Sequence, residues 1–96
     1  AAKDKTRTSV RVHVETCNKS FAKTAMGGYI ENTGTVDLHY VTVETIWKNK
    51  DGLVVSTDLV YVLNGDTLAP GARKTFSDSS NLPSVARCNA NPVDWW

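Results

Sequence analysis

Residues 41–63 read VTVETIWKNKDGLVVSTDLVYVL, and this stretch decides the fold. In its first arm Val41, Val43, Thr45 and Trp47 fall on one side. His39, Thr42 and Glu44 read as wet positions, on a side blurred by Tyr40 and Ile46. A period of two marks a strand with one face in a core and the other in water. Asn49-Lys50-Asp51-Gly52 then closes a tight hairpin, because glycine takes the positive φ such loops need. The second arm, from Leu53 to Leu63, is rich in Val, Leu and Tyr and makes the partner strand.

The same reading extends outward in both directions. Upstream, Val10, Val12 and Val14 alternate with Arg11, His13 and Glu15. That phase would leave Cys17 on the wet side with Glu15, so a β-bulge is expected near Cys17, the alternative being a disulfide at the rim. A short strand follows over residues 28–32 and stops at Thr33-Gly34; only residues 21–26 could hold a helical turn. Downstream, Asn64-Gly65 suits a primed turn and Pro70-Gly71 a type II turn. Residues 73–78 form a strand with Phe76 inward, Leu82-Pro83 breaks the chain, and a last strand covers residues 84–89. The expected fold is all-β: an antiparallel, immunoglobulin-like two-sheet sandwich of about seven strands. Residues 1–96 make a single domain, with residues 1–7 as a flexible start.

Composition narrows the function classes. Hydrophobic residues at 41% and charged residues at 22% suit a globular domain rather than a disordered tail. With 11 Lys and Arg against 10 Asp and Glu, the net charge of +1 gives no reason to expect nucleic acid or an anionic membrane as partner. The longest apolar run is residues 59–63, far short of a span, so membrane insertion is not expected.

The two cysteines, Cys17 and Cys88, are 71 positions apart, the wrong spacing for a redox pair or a zinc knuckle. They read as a structural disulfide, the alternative being two unpaired buried thiols. A disulfide implies a secreted or cell-envelope location, outside the cytoplasm. The opening Ala1-Ala2-Lys3-Asp4-Lys5 would suit a mature start or a trimmed chain. Asn18-Lys19-Ser20 fits the glycosylation sequon, a triplet frequent by chance.

Three segments resemble a known family. Gly28-Tyr29-Ile30-Glu31-Asn32-Thr33-Gly34 resembles the "G-x-v-x-N-t-g" opening of FxLYD and related immunoglobulin-like domains of bacterial and archaeal envelope proteins. Val41-Thr42-Val43 through Trp47, then Asp51-Gly52-Leu53-Val54-Val55, is similar to their central hairpin. Leu68-Ala69-Pro70-Gly71 followed by Phe76 is similar to their "L-x-P-G … F" segment. The resemblance covers roughly residues 27–78; Trp47-Lys48 replaces the family's aromatic-Asp pair, and the cysteines lie outside the motif. It implies a non-catalytic spacer or contact module of an exported protein.

Chemistry-bearing residues are sparse. His13 and His39 stand on strands that need not be neighbours, and two histidines with two paired cysteines make no zinc site, so no metal and no cofactor are expected. No G-x-S-x-G elbow is present, and Ser79-Ser80 has no histidine near it in sequence, so no catalytic residue is assigned and an enzyme is not expected. Asp51 and Asp66 sit in turns, Asp58 on a strand, and no calcium loop is spelled out. Trp47 shares the phase of the core valines and reads as packing. Trp95 and Trp96, being adjacent, cannot both enter one core. With Asn89, Asn91 and Asp94 they make a possible contact surface for a partner or ligand. The expected function is a protein-interaction or spacer module, binding an envelope protein or pairing with itself through an edge strand. The alternative is a carbohydrate-binding module that uses the C-terminal tryptophans.

Overall fold

The computed structural model describes residues 8–96; the flexible start expected for residues 1–7 lies outside them. Six strands follow one another: β1 (Val10–Ser20), β2 (Lys23–Asn32), β3 (Val41–Lys48), β4 (Val54–Tyr61), β5 (Arg73–Ser80) and β6 (Arg87–Trp95). They form two antiparallel sheets, ordered β1-β2-β5 and β4-β3-β6. On the immunoglobulin scheme these correspond to strands A-B-E and C′-C-F. The sandwich expected from the alternation is present, with six strands among the described residues rather than about seven. Residues 90–95, which could have turned back as a seventh strand, instead extend β6. Pro92 is tolerated there because β6 is an edge strand and a bulge at Val93 interrupts the ladder beside it.

The core lies between the sheets and includes Met26, Ile30, Val41, Val43, Trp47, Phe76 and Val85. Trp47, at the centre of its sheet, is 1% exposed. Thr42, expected on the wet side, is buried. The reason is the Val93 bulge: the Thr42 hydroxyl accepts from the Asp94 N–H at 3.2 Å, filling a gap in the ladder.

The bulge expected near Cys17 sits between Val14 and Thr16, leaving Glu15 without a partner on β2. Its opposite number is Gly28, where a Cβ would lie 2.1 Å from the His13 carbonyl oxygen, so only glycine fits. Beyond the bulge Cys17 bonds Cys88, although Cys17 itself remains exposed. The bond ties the end of β1 to the start of β6 and so joins the two sheets.

Residues 21–26 hold no helical turn. Ser20 pairs with Lys23 across a two-residue hairpin, Phe21-Ala22, and β2 begins at once. Strand pairing wins because Thr24 and Met26 bury themselves, a period-two pattern that a helix would scatter. The other turns follow their sequence chemistry. Gly52 (φ 82°) closes the β3–β4 hairpin, Asn64 and Gly65 (φ 44° and 92°) make a primed turn, and Gly71 (φ 81°) ends Ala69-Pro70-Gly71-Ala72.

Two stability results are expected. Replacing both Cys17 and Cys88 by serine lowers the unfolding free energy by about 4 kcal/mol in urea titrations, from the loop-closure entropy of the unfolded chain. Phe21 has φ 56°, a left-handed conformation unfavourable for a side chain with a Cβ. Phe21→Gly therefore raises stability by about 1 kcal/mol, read as a higher Tm.

Candidate functional site

The two ends of the sandwich differ. At the end away from the disulfide, the loops at residues 33–40 and 62–72 and the end of β6 converge, and Asn32 organises them. Its side chain is fully buried. Nδ2 donates to the carbonyls of Val36 (2.9 Å) and Leu68 (2.8 Å), and Oδ1 accepts from the Gly34 N–H at 2.9 Å. Its backbone accepts from Gly71 and donates to Ala72. Every donor and acceptor of the residue is thereby used in joining two loops. Beside it Leu38 and Leu68 exchange backbone hydrogen bonds of 2.9 and 2.8 Å, docking one loop on the other.

This docking sets His39 and Tyr40 against Asn64 and Gly65. The resulting cleft has a volume of about 230 Å³ and is also walled by Tyr61 and Leu63. His39 Nδ1 lies 3.3 Å from the Thr67 hydroxyl. The chain's end is locked here as well: Trp96 donates its N–H to Tyr40, and its carbonyl accepts from His39 and Tyr40. The Trp96 indole stacks on Tyr40 at 4.2 Å with 14° between the planes. Tyr40 in turn meets Tyr61 edge-on at 6.2 Å. Three aromatic rings from three segments thus form one cluster, worth more together than their area alone.

Trp95 packs against the core, and Trp96 joins the aromatic cluster. Asn91 is exposed on β6 opposite Glu44, and Asp94 opposite Thr42, so neither lies in the cleft with the rings. Asn89 pairs with Ile46, farther along the strand. The run from Asn89 to Trp96 is therefore strung along an edge strand rather than gathered at one point. Sequence reasoning missed Tyr40 and Tyr61; their place on the wet side of their strands was the available signal.

A second cleft, about 360 Å³, opens between edge strands β4 and β5 and is lined by Val60, Tyr61, Val62, Thr75 and Phe76 among others. Tyr61 and Asn64 border both clefts. Along β4 the exposed apolar side chains Val54, Val55, Leu59 and Tyr61 continue from this border. The Asp58 carboxylate accepts from the Leu59 N–H at 2.9 Å, and Asp78 does the same for Ser79 on β5. Both edges thus carry a carboxylate that occupies a backbone donor.

The two histidines stay apart. His13 packs beside Tyr29 on the outer face of the first sheet, where Arg73 covers the Tyr29 ring at 4.5 Å. Asp66 pairs with Lys74 at 2.8 Å. Among the described residues, no three His, Cys, Asp or Glu side chains come together as a metal site.

No family model matches this chain, and no curated protein does. Solved structures similar to it include a DUF1425 family member from Shewanella sp. pv-4. That protein is 14% identical, with a TM-score of 0.68 over 98% of this chain and 85% of its own. Another is a Bordetella pertussis protein with the provisional name ApaA, also 14% identical, with a TM-score of 0.55 over 94% of this chain and 92% of its own. At such identity the likeness establishes the β-sandwich and nothing about its use.

Removing the Asn32 amide should loosen the whole end. Asn32→Ala takes their partners from the Val36 carbonyl and the Gly34 N–H, leaves the Leu68 carbonyl with the Leu38 N–H alone, and costs about 2 kcal/mol in chemical denaturation. Near-ultraviolet dichroism from the Tyr40–Trp96 stack should weaken in the same variant.

Proposed function

We propose that this domain is a non-catalytic, extracytoplasmic interaction module that binds a protein partner through β4 and its outer face. The observation that carries the reading is the row Val55, Leu59 and Tyr61, exposed by 36%, 43% and 55% on an edge strand. Large apolar side chains on an unpaired edge are a template for another chain, by strand addition or by face-to-face packing. The Asp58 carboxylate over the Leu59 N–H restrains indiscriminate pairing while leaving the apolar row open. The disulfide supports a location in an oxidising compartment. The FxLYD-like segments add the expectation of an envelope spacer or contact module, secreted or held at the cell surface. Those segments supply Asn32 and the turns that shape the molecule.

Carbohydrate binding is the second reading, favoured by the cleft where Tyr40 and Tyr61 meet His39 and Asn64. Aromatic walls with a few polar groups suit a sugar ring. In this form Trp96 acts through its stack on Tyr40.

A photo-crosslinking residue placed at Leu59, and separately at His13 on the opposite sheet, distinguishes the readings in the intact cell envelope. Protein adducts at position 59, few at 13, and their loss when Val55→Lys is added are the expected outcome. Equal labelling from both faces would reject the β4 surface. A saturable tryptophan-emission shift with soluble polysaccharides, abolished by Tyr61→Ala, would favour the sugar site instead.

A further inference from the structure

The disulfide end is made of three chain reversals: the Phe21-Ala22 turn, the β3–β4 hairpin and the β5–β6 loop. They meet there because β1, β3 and β5 all run toward that end. The Lys19 ammonium donates to the Pro83 carbonyl, tying the first reversal to the third. Ala86 donates its N–H to the Lys48 carbonyl at 2.8 Å, tying the third to the second, and the Arg87 side chain lies near Gly52. The molecule measures 41 × 19 × 18 Å, and strands of this length run along the long axis, so all three tips share one narrow end face.

Each tip carries an exposed apolar side chain: Phe21 at 99%, Leu53 at 64% and Leu82 at 42%. Among the described residues, the strand ends and turns around them carry the cations Lys19, Lys23, Lys48, Lys50 and Arg87 against one acid, Asp51. The next acids on these strands, Glu15 and Asp78, lie about 7–16 Å back from the tips. A net charge of +1 for the chain therefore conceals a strongly basic end.

We propose that this end docks on an anionic phospholipid surface, with Phe21, Leu53 and Leu82 entering the interface and the surrounding cations meeting the headgroups. Three features favour a bilayer over an acidic protein. The apolar groups stand on three separate chain reversals rather than in one continuous patch, an arrangement suited to single side chains entering a lipid interface. Apolar tips ringed by cations match the order of layers in a lipid leaflet, anionic headgroups over hydrocarbon. Phe21, finally, occupies a left-handed φ that glycine would fill without strain, yet its ring is almost wholly in solvent. So exposed, the ring gains little packing to offset that backbone cost, which directs its use outward. Such docking is peripheral and needs no membrane-spanning segment. It leaves the β4 face and the far cleft free for the partner proposed above.

The test is co-sedimentation of the full chain with phosphatidylcholine vesicles, with and without about 30 mol % phosphatidylglycerol. The intact chain should sediment with the anionic vesicles and remain in solution with the neutral ones. Lys23→Ala and Lys50→Ala, on two different tips, should each weaken partition about fivefold. Phe21→Gly should weaken it about tenfold or more while raising the Tm, so loss of binding cannot be loss of fold. No sedimentation with anionic vesicles at about 1 mM lipid overturns the proposal and leaves the basic end to an acidic protein. Equal sedimentation with both lipids, or a Phe21→Gly variant that binds like the parent, overturns it as well.

Discussion

The buried amide of Asn32 is the constraint on which the far end of this protein depends. A side chain with two donors and one carbonyl oxygen is fully enclosed and satisfied by two loops that are remote in sequence. Burying such a group without partners would be costly, so the loops are held to the one arrangement that supplies them. From that arrangement follow the Leu38–Leu68 bridge, the position of His39 and Tyr40, and the ladder that receives Trp96. At the opposite end the Cys17–Cys88 bond does the corresponding work between the sheets, but covalently and through the entropy of the unfolded chain. One end is fixed by polar satisfaction and the other by a cross-link, with the Trp47 core between them.

These two fixings leave different surfaces exposed. The Asn32 end gathers aromatic rings, beside an edge strand whose apolar side chains Leu59 and Tyr61 are exposed. The disulfide end gathers cations around apolar turn tips. Both sets of groups suit contact. A module joined by protein at one place and lipid at another would act as a link between a surface and what stands on it.

Much of the fold was legible because strand phase and turn chemistry are short-range properties. Val41, Val43 and Trp47 announced their buried side by alternation, and Asn64-Gly65 and Pro70-Gly71 announced their turns by the φ values they accept. The bulge near Cys17 was legible too, because strict alternation left Cys17 on the wet side unless the register was reset or the disulfide sat at the rim; the register is reset, and Cys17 is exposed as well. What failed had local reasons of its own. Residues 21–26 looked capable of a helical turn, and the pairing of Met26 with Cys17 overrode that local choice. The amides and tryptophans at 89–96 looked like a cluster, and an edge strand with a bulge at Val93 spread them out. Asn32 precedes a Thr33-Gly34 turn, and its contacts with Gly34 and Val36 are local, but its bond to the Leu68 carbonyl reaches chain that no local pattern could name.

Read alone, the sequence settled the period of two, the reversals at residues 49–52, 64–65 and 70–71, and the buried side of Val41, Val43 and Trp47. These depend on φ, ψ and polarity over a few neighbouring residues, and those are written in order along the chain. Tertiary structure alone decided that Tyr40, Tyr61 and Trp96 would form one cluster. It also decided that β4 would be an edge and that Lys19, Lys23, Lys50 and Arg87 would share an end with Phe21. Those outcomes depend on sheet order and strand direction, which bring together residues whose separation in sequence carries no record of their distance in space.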